Sequence, residues 1–298
     1  MNLGFIGFGE AAFEMAKGLK GEGFGEIVAF DPLADHETYG SLIKERAGQA
    51  KVELLDLMET VIQRVNLVIV AVPADKAFEV SVKLKPQLNK EIIYVDVSAS
   101  SPTVKKDIWE NLKETGAAFV DAAMLGPLTV YQHKVPMIIS GSGSNQFILQ
   151  MSKFGMNLDH ISQNPGDASA VKLTRSIFMK GTAALFIEML EAARVLNVED
   201  RVIASIKETM GSEIFEKVMN QLVTGTSIHA YRRSKELEGS IEMLEELNIH
   251  SSMSNASREK LLFLTDLNIK DKFQGKRPDH WTNVIDMIAS TRKENVKS

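Results

Sequence analysis

Along residues 1–165, short apolar runs alternate with longer stretches in which apolar positions recur every three or four residues, a pattern that predicts strands and helices in turn. Leu3 to Ile6 is the first run. Ile27 to Phe30, Leu67 to Val72, Glu91 to Asp96 and Ala118 to Asp121 follow, and Pro136 to Gly141 reads as the last strand but one. Leu67 to Val72 is apolar throughout, as a parallel strand covered on both faces would be. Helical patterns lie between these runs, from Glu10 onward, up to about Arg64, through Phe78, Val82 and Leu84, and from Pro102 to about Glu114. Strand and helix in alternation predict an α/β fold, a doubly wound parallel sheet that takes ligands at the carboxyl ends of its strands. The residues at those ends include Val72, Pro73 and Asp75, then Ser98, then Leu125 and Gly126.

The texture changes near Asp167. Asp167 or Ser169 is placed to cap a helix from Ala168 to about Leu196, whose apolar residues (Val171, Leu173, Ile177, Phe178, Leu185 and others) surround most of its circumference. Everything after it also reads as helix, with breaks near Asn197, Gly211, Gly225 and Asn248, and Lys293 to Ser298 reads as a frayed tail.

The turn after the first strand carries the first chemistry. Gly7-Phe8-Gly9-Glu10-Ala11-Ala12 matches G-x-G-x-x-A, with a strand before it and a helix after it. Gly7 permits the tight turn, Gly9 lets backbone approach a pyrophosphate, and the helix N-terminus favours the phosphate charge. The second strand ends at Asp31, near the spacing at which a carboxylate accepts the ribose hydroxyls of NAD and repels the 2′-phosphate of NADP; Pro32 follows it. The reading leans to NAD, with NADP kept open because Asp-Pro is also a common turn pair. The expected organisation is a Rossmann-type dinucleotide-binding domain over 1–165 and an all-helical substrate and dimerisation domain over 166–298.

Composition narrows the class. The chain has 298 residues, 44% hydrophobic and 24% charged, as in an ordinary soluble protein. A net charge of -5 argues against a nucleic-acid or anionic-membrane partner. With no cysteine there is no disulfide, thiolate metal site or cysteine nucleophile, and no other cluster has metal-ligand spacing. No apolar run has the length to span a bilayer and no secretory leader precedes the first strand, so a cytoplasmic location is expected.

On the long helix Lys172, Arg175, Ser176 and Lys180 share one polar stripe. Lys172 lies in the first turns, where the helix dipole and partial burial both disfavour its charge and bring an amine toward proton transfer at neutral pH. From the residues alone, a solvated lysine accounts for it equally well.

Together these pieces resemble the β-hydroxyacid dehydrogenase family, which includes 3-hydroxyisobutyrate and 6-phosphogluconate dehydrogenases, and in particular a divergent branch of it. The resemblance spans most of residues 1–196 and four motifs in order: the glycine loop; Asp96-Val97-Ser98-Ala99-Ser100-Ser101-Pro102, similar to D-x-S-x-x-x-P; Phe119 to Pro127, similar to F-V-D-A-P-V-S-G-G; and Gly166 to Ser176, similar to G-x-x-x-x-x-K-x-x-x-N. It implies hydride transfer between a nicotinamide and a 3-hydroxy acid or related hydroxy-carbonyl compound, with Lys172 as general acid and base and Ser98 and Gly126 near an anionic substrate. It also implies a homodimer. Three positions depart: Leu125 replaces the substrate-binding serine, Pro127 the second glycine, and Ser176 the asparagine. The resemblance gives His229, Arg232 and Arg233 an anion-binding role; a solvated face with Arg233 paired to Glu236 or Glu238 is the alternative. Imine reduction on the same architecture, or a dinucleotide-binding sensor without chemistry, are the other readings, and a methyltransferase is a more remote one.

Overall fold

The structure is a computed structural model and describes residues 2–210, 213–248 and 250–297. It forms two compact units, Met1–Lys172 and Leu173–Ser298.

The first unit alternates strands and helices: β1 (Leu3–Ile6), α1 (Glu10–Gly21), β2 (Ile27–Phe30), α2 (Gly40–Ala50), β3 (Glu53–Leu54), α3 (Met58–Arg64), β4 (Leu67–Val70), α4 (Ala77–Leu84), β5 (Ile93–Asp96), α5 (Pro102–Leu112), β6 (Ala118–Met124), α6 (Leu128–Tyr131), β7 (Met137–Ser140), α7 (Ser144–Met151) and β8 (Leu158–Ser162). The strands make one sheet in the order β3-β2-β1-β4-β5-β6-β7-β8. The fold is thus the Rossmann-like α/β sheet that the alternation predicts, and β1 to β6 are parallel. β7 departs, since it pairs antiparallel to β6, and β8 then runs parallel to β7. A short connection through α6 joins β6 to β7, and antiparallel neighbours need no longer crossover.

Successive residues of each central strand point to opposite faces. Leu3, Phe5, Ile69 and Val95 enter one core, and Ile6, Val68, Val70 and Tyr94 the other. Each such apolar side chain, taken fully out of water, contributes about 1.5–3 kcal/mol. Covering both faces leaves the strand ends as the place where ligands meet the sheet.

The chain then continues as α8 (Asp167–Val195), α9 (Glu199–Met210), α10 (Glu213–Glu246), α11 (Ser252–Asp266), α12 (Ile269–Lys272) and α13 (Trp281–Lys297). The second unit packs around Ile187, Leu190, Phe215, Met219, Val223, Leu264, Trp281 and Ile285. Asn197 and Asn248 end their helices in the left-handed region, at φ 56° and 54°. Gly211 lies outside the described residues. At Gly225, however, α10 runs straight on, and the irregularity comes at His229 (φ −114°, ψ 18°). The hydroxyls of Thr224, Thr226 and Ser227 donate back to the carbonyls of Asn220, Leu222 and Thr224 just before it, a pattern that bends helices. The expected frayed tail is likewise corrected: α13 stays helical through Lys297, in a run without glycine or proline, and Ser298 lies outside the described residues. Among the described residues no helix is long and apolar enough to cross a membrane.

Candidate functional site

Register places Ile6, Phe30, Val70, Asp96 and Asp121 in one row across β1, β2, β4, β5 and β6. The segments that leave these strands therefore emerge side by side. Gly7 turns the chain at φ +84°, where a Cβ would lie 2.5 Å from the Ala71 carbonyl oxygen. At Gly9 a Cβ would meet nothing within 4 Å, so the backbone is open to an approaching group. Gly9 starts α1 without a side-chain cap. Its first N–H groups thus have no side-chain acceptor, and the helix end favours an anion. Glu10 is exposed, Ala11 half-buried and Ala12 fully buried, which gives α1 close contact with the sheet. These residues fit a dinucleotide pyrophosphate.

Phe8 contributes in another way. Its ring is buried edge-to-face on Phe5, and its N–H donates to Asp31 Oδ2 at 2.7 Å. Asp31 Oδ1 accepts the Leu33 N–H at 2.9 Å. One carboxylate therefore fixes both the glycine loop and the turn after β2, with lone pairs left for a ribose. Beyond β4 Val72 is half-buried and Pro73 exposed, and the Asp75 side chain is 73% exposed and 3.8 Å from Lys76 Nζ.

At the end of β5, and level with it on β6, the structure holds a polar cluster that sequence reasoning missed. Asp96, Lys105 and Asp121 all have zero exposure. Lys105, on α5, places Nζ 2.7 Å from Asp96 Oδ1, 3.0 Å from the Asp96 carbonyl oxygen and 3.4 Å from Asp121 Oδ1. Asp96 Oδ1 also accepts the Ser98 N–H at 2.8 Å. Ser98 is buried, with its hydroxyl 2.8 Å from that of Ser100, which donates to the Ala74 carbonyl. A signal was present in the sequence: Lys105 shares a helical face with Ile108 and Leu112, between two strands that end in aspartate.

Asp121 also explains how α8 begins. The expected caps, Asp167 and Ser169, do not cap it. Asp167 Oδ2 accepts from the Ser162 hydroxyl at 2.6 Å, and the Ser169 hydroxyl donates to Asp121 Oδ1 at 2.7 Å. The orphan N–H groups of the first turn go to the sheet instead, Ala168 N–H to Ser140 Oγ at 3.1 Å and Ser169 N–H to Asp121 Oδ2 at 2.9 Å. Strand-end acceptors thus replace a local cap. Gly166 allows the approach, at φ +95° with its Cβ position 2.7 Å from the Pro102 carbonyl oxygen. Lys172 is half-buried, three residues beyond Ser169 and so about one turn further along α8. Leu125 and Gly126 lie past the end of β6, which runs beyond the aligned row to Met124; Leu125 donates its N–H to the Pro136 carbonyl.

The remaining predicted residues belong to the helical unit. The Ser176 hydroxyl accepts from Lys180 Nζ at 3.1 Å, and that ammonium lies 2.9 Å from Glu236. Arg232 is exposed and 3.5 Å from Glu236. Arg233 does not take up the acidic pairing set out above; it donates to the Leu222 carbonyl and the Thr226 hydroxyl of its own helix, beside the bend at His229. Burial pulls its guanidinium down to a pKa of about 10, against the opposing pull of Glu236, while Arg232 and Arg277 push the same way as burial.

Residues 2–153 match the family described as the NAD binding domain of 6-phosphogluconate dehydrogenase. The chain belongs to this family. Within this 6-phosphogluconate dehydrogenase-type domain fall the glycine loop, Asp31, Ser98, Lys105, Asp121 and Leu125, whereas Lys172 lies beyond the matched span. Residues 193–262 match a second family, a domain of unknown function, DUF1932. A conserved hypothetical protein from Sinorhizobium meliloti is 27% identical, with a TM-score of 0.76 over 98% of this chain and 96% of that one. A conserved protein of unknown function, itself described as structurally similar to 3-hydroxyacid dehydrogenases, is 29% identical, with a TM-score of 0.72 over 93% of this chain and 100% of that one. The 3-hydroxyisobutyrate dehydrogenase of Mycobacterium tuberculosis, solved with L-serine, shares the fold at 15% identity, with a TM-score of 0.68 over 96% and 98%.

Proposed function

We propose that this chain is a nicotinamide-dinucleotide-dependent dehydrogenase, using NAD in preference to NADP, that acts on the hydroxyl of a 3-hydroxy acid or related hydroxy-carbonyl compound, with Lys172 as its general acid and base. The observation that carries the reading is the hydrogen-bonded path from Asp121, the β6 residue level with the end of β5, to Ser169 of α8, which ties the turn before Lys172 to that row of strand ends. The open helix N-terminus at Gly9 supports pyrophosphate binding at the same edge.

In this reading Gly7 to Ala12 hold the pyrophosphate, Asp31 meets the adenosine ribose, and Val72, Pro73 and Ser98 bound the nicotinamide end. A bound nicotinamide supplies the hydride acceptor in oxidation and the donor in reduction. Lys172, as the neutral amine, takes the proton of the substrate hydroxyl in oxidation; as ammonium it returns a proton to the carbonyl oxygen in reduction. Its half-buried position keeps water from competing fully for that proton. At Leu125 there is no hydroxyl to bind a substrate carboxylate, so the substrate is anchored differently from a small hydroxyisobutyrate-like acid. The carboxylate of Asp31, fixed by two N–H donors, disfavours a 2′-phosphate. A homodimer completes the proposal, supported by the exposed Phe178 and Leu185 at heptad spacing on α8.

The test is nicotinamide-absorbance turnover on a panel of 3-hydroxy acids, with Lys172→Ala as control. Loss of general acid-base catalysis lowers kcat by about 10²–10⁴-fold while NADH affinity stays nearly constant. Full activity in the variant would overturn the assignment.

A further inference from the structure

Lys105 is one of the largest fully buried side chains in the molecule. Its three N–H donors face three oxygens, two on Asp96 and one on Asp121. A buried ion pair of this kind contributes little net stability, because desolvation offsets the attraction. What distinguishes this one is what its two carboxylates hold. Asp96 fixes the Ser98 loop through the Ser98 N–H, and Ser98 and Ser100 carry the path on to the Ala74 carbonyl beyond β4. Asp121 fixes the first turn of α8 through both the N–H and the hydroxyl of Ser169. Asp96 Oδ2 has no hydrogen-bond partner, so Lys105 supplies a large share of what orients that carboxylate.

We propose that Lys105 is a positioning residue, a buried ammonium that ties the Ser98 loop to the α8 turn before Lys172 and so sets the spacing of the two groups that flank the reacting carbon. The inference rests on the reading of Ser98 and Lys172 given above. Lys105 touches no substrate; it acts through Asp96 and Asp121.

The test compares the wild-type chain with Lys105→Met and with the double variant Lys105→Met, Asp96→Asn. The double variant removes the ammonium and one carboxylate charge together, yet leaves an oxygen for the Ser98 N–H and leaves Asp121 for Ser169; it carries the test if Lys105→Met alone does not fold. Two readouts are made, per-residue amide exchange and the split between kcat and the Kd for NADH. The proposal predicts amide exchange accelerated about tenfold at Ser98 to Ser100 and Ser169 to Lys172, with β1 and α1 unchanged. It predicts kcat lowered about 100-fold, as a displacement of about 1 Å can do, while the NADH Kd stays within about threefold. Exchange that is unchanged, or that rises equally across β1 and α1, would overturn it, as would NADH binding lost in step with kcat. Absence of turnover in the wild-type chain would sink the dehydrogenase reading instead, and the exchange pattern would then decide the clamp alone.

Discussion

Gly7 shows how far a single residue is dictated by backbone. Its φ of +84° and the 2.5 Å approach of the Ala71 carbonyl both forbid a side chain. Gly7→Ala is expected to cost about 1–3 kcal/mol from the dihedral strain alone, read as a lower urea midpoint, and to weaken NADH binding at least tenfold; an unchanged variant would refute the loop assignment. Such a residue is legible in sequence because no other type does its job. Lys105 is the opposite case, since it stands beside Lys106 in an amphipathic helix and only Lys105 is buried. Its shared face with Ile108 and Leu112 marks it as the lysine that turns inward, but its partners are remote in sequence, so nothing local shows what it meets there. His133 is a third instance. It is buried, with Nε2 donating to the Phe154 carbonyl and Nδ1 without a partner. Burial pushes its pKa down, so below the ordinary histidine value the unfolded chain takes up a proton that the folded one refuses. The stability given by neutral His133 is complete above about pH 6.5 and is lost as pH falls through the lowered value. Urea midpoints should therefore fall from about pH 7 to about pH 5, and less steeply in His133→Gln; equal slopes would contradict this.

At the scale of elements, the helix ends and bends separate what pattern can predict from what it cannot. The central strands were readable because each is an apolar run covered on both faces, whereas β3, two residues long, and β8, which alternates half-buried and exposed positions, carry no such run; Asn197 and Asn248 were readable as stops because asparagine tolerates the left-handed region. The start of α8 was misread because a local cap was assumed, while the acceptors come from β6 and β7. Gly225 was misread for a related reason. A Cβ there would lie 3.1 Å from Arg233 Nη2, so the glycine makes room for a guanidinium rather than ending a helix. The antiparallel β7 was hidden because periodicity reports burial and not direction.

For the whole molecule, the two units each have a core of their own, two clusters on the sheet and one among the helices. Trp281→Ala removes a buried ring from the helical core and should cost about 3–5 kcal/mol there. Thermal unfolding should show the loss, while the NADH Kd, set by the first unit, stays within about twofold; a parallel loss of binding would contradict the division of labour. The α/β fold and the glycine loop were legible because they follow from local pattern. The positioning of the α8 turn was not, because it depends on contacts between segments far apart in the chain.

The central claim is that the strand ends of the first unit hold a nicotinamide dinucleotide, and fluorescence titration of the purified protein with NADH and with NADPH tests it most directly. The account predicts saturable binding of NADH and weaker binding of NADPH, the order set by Asp31. A preference for NADPH would reduce Asp31 to the acceptor that holds Phe8 and Leu33. Saturable binding of neither would contradict the account at its foundation.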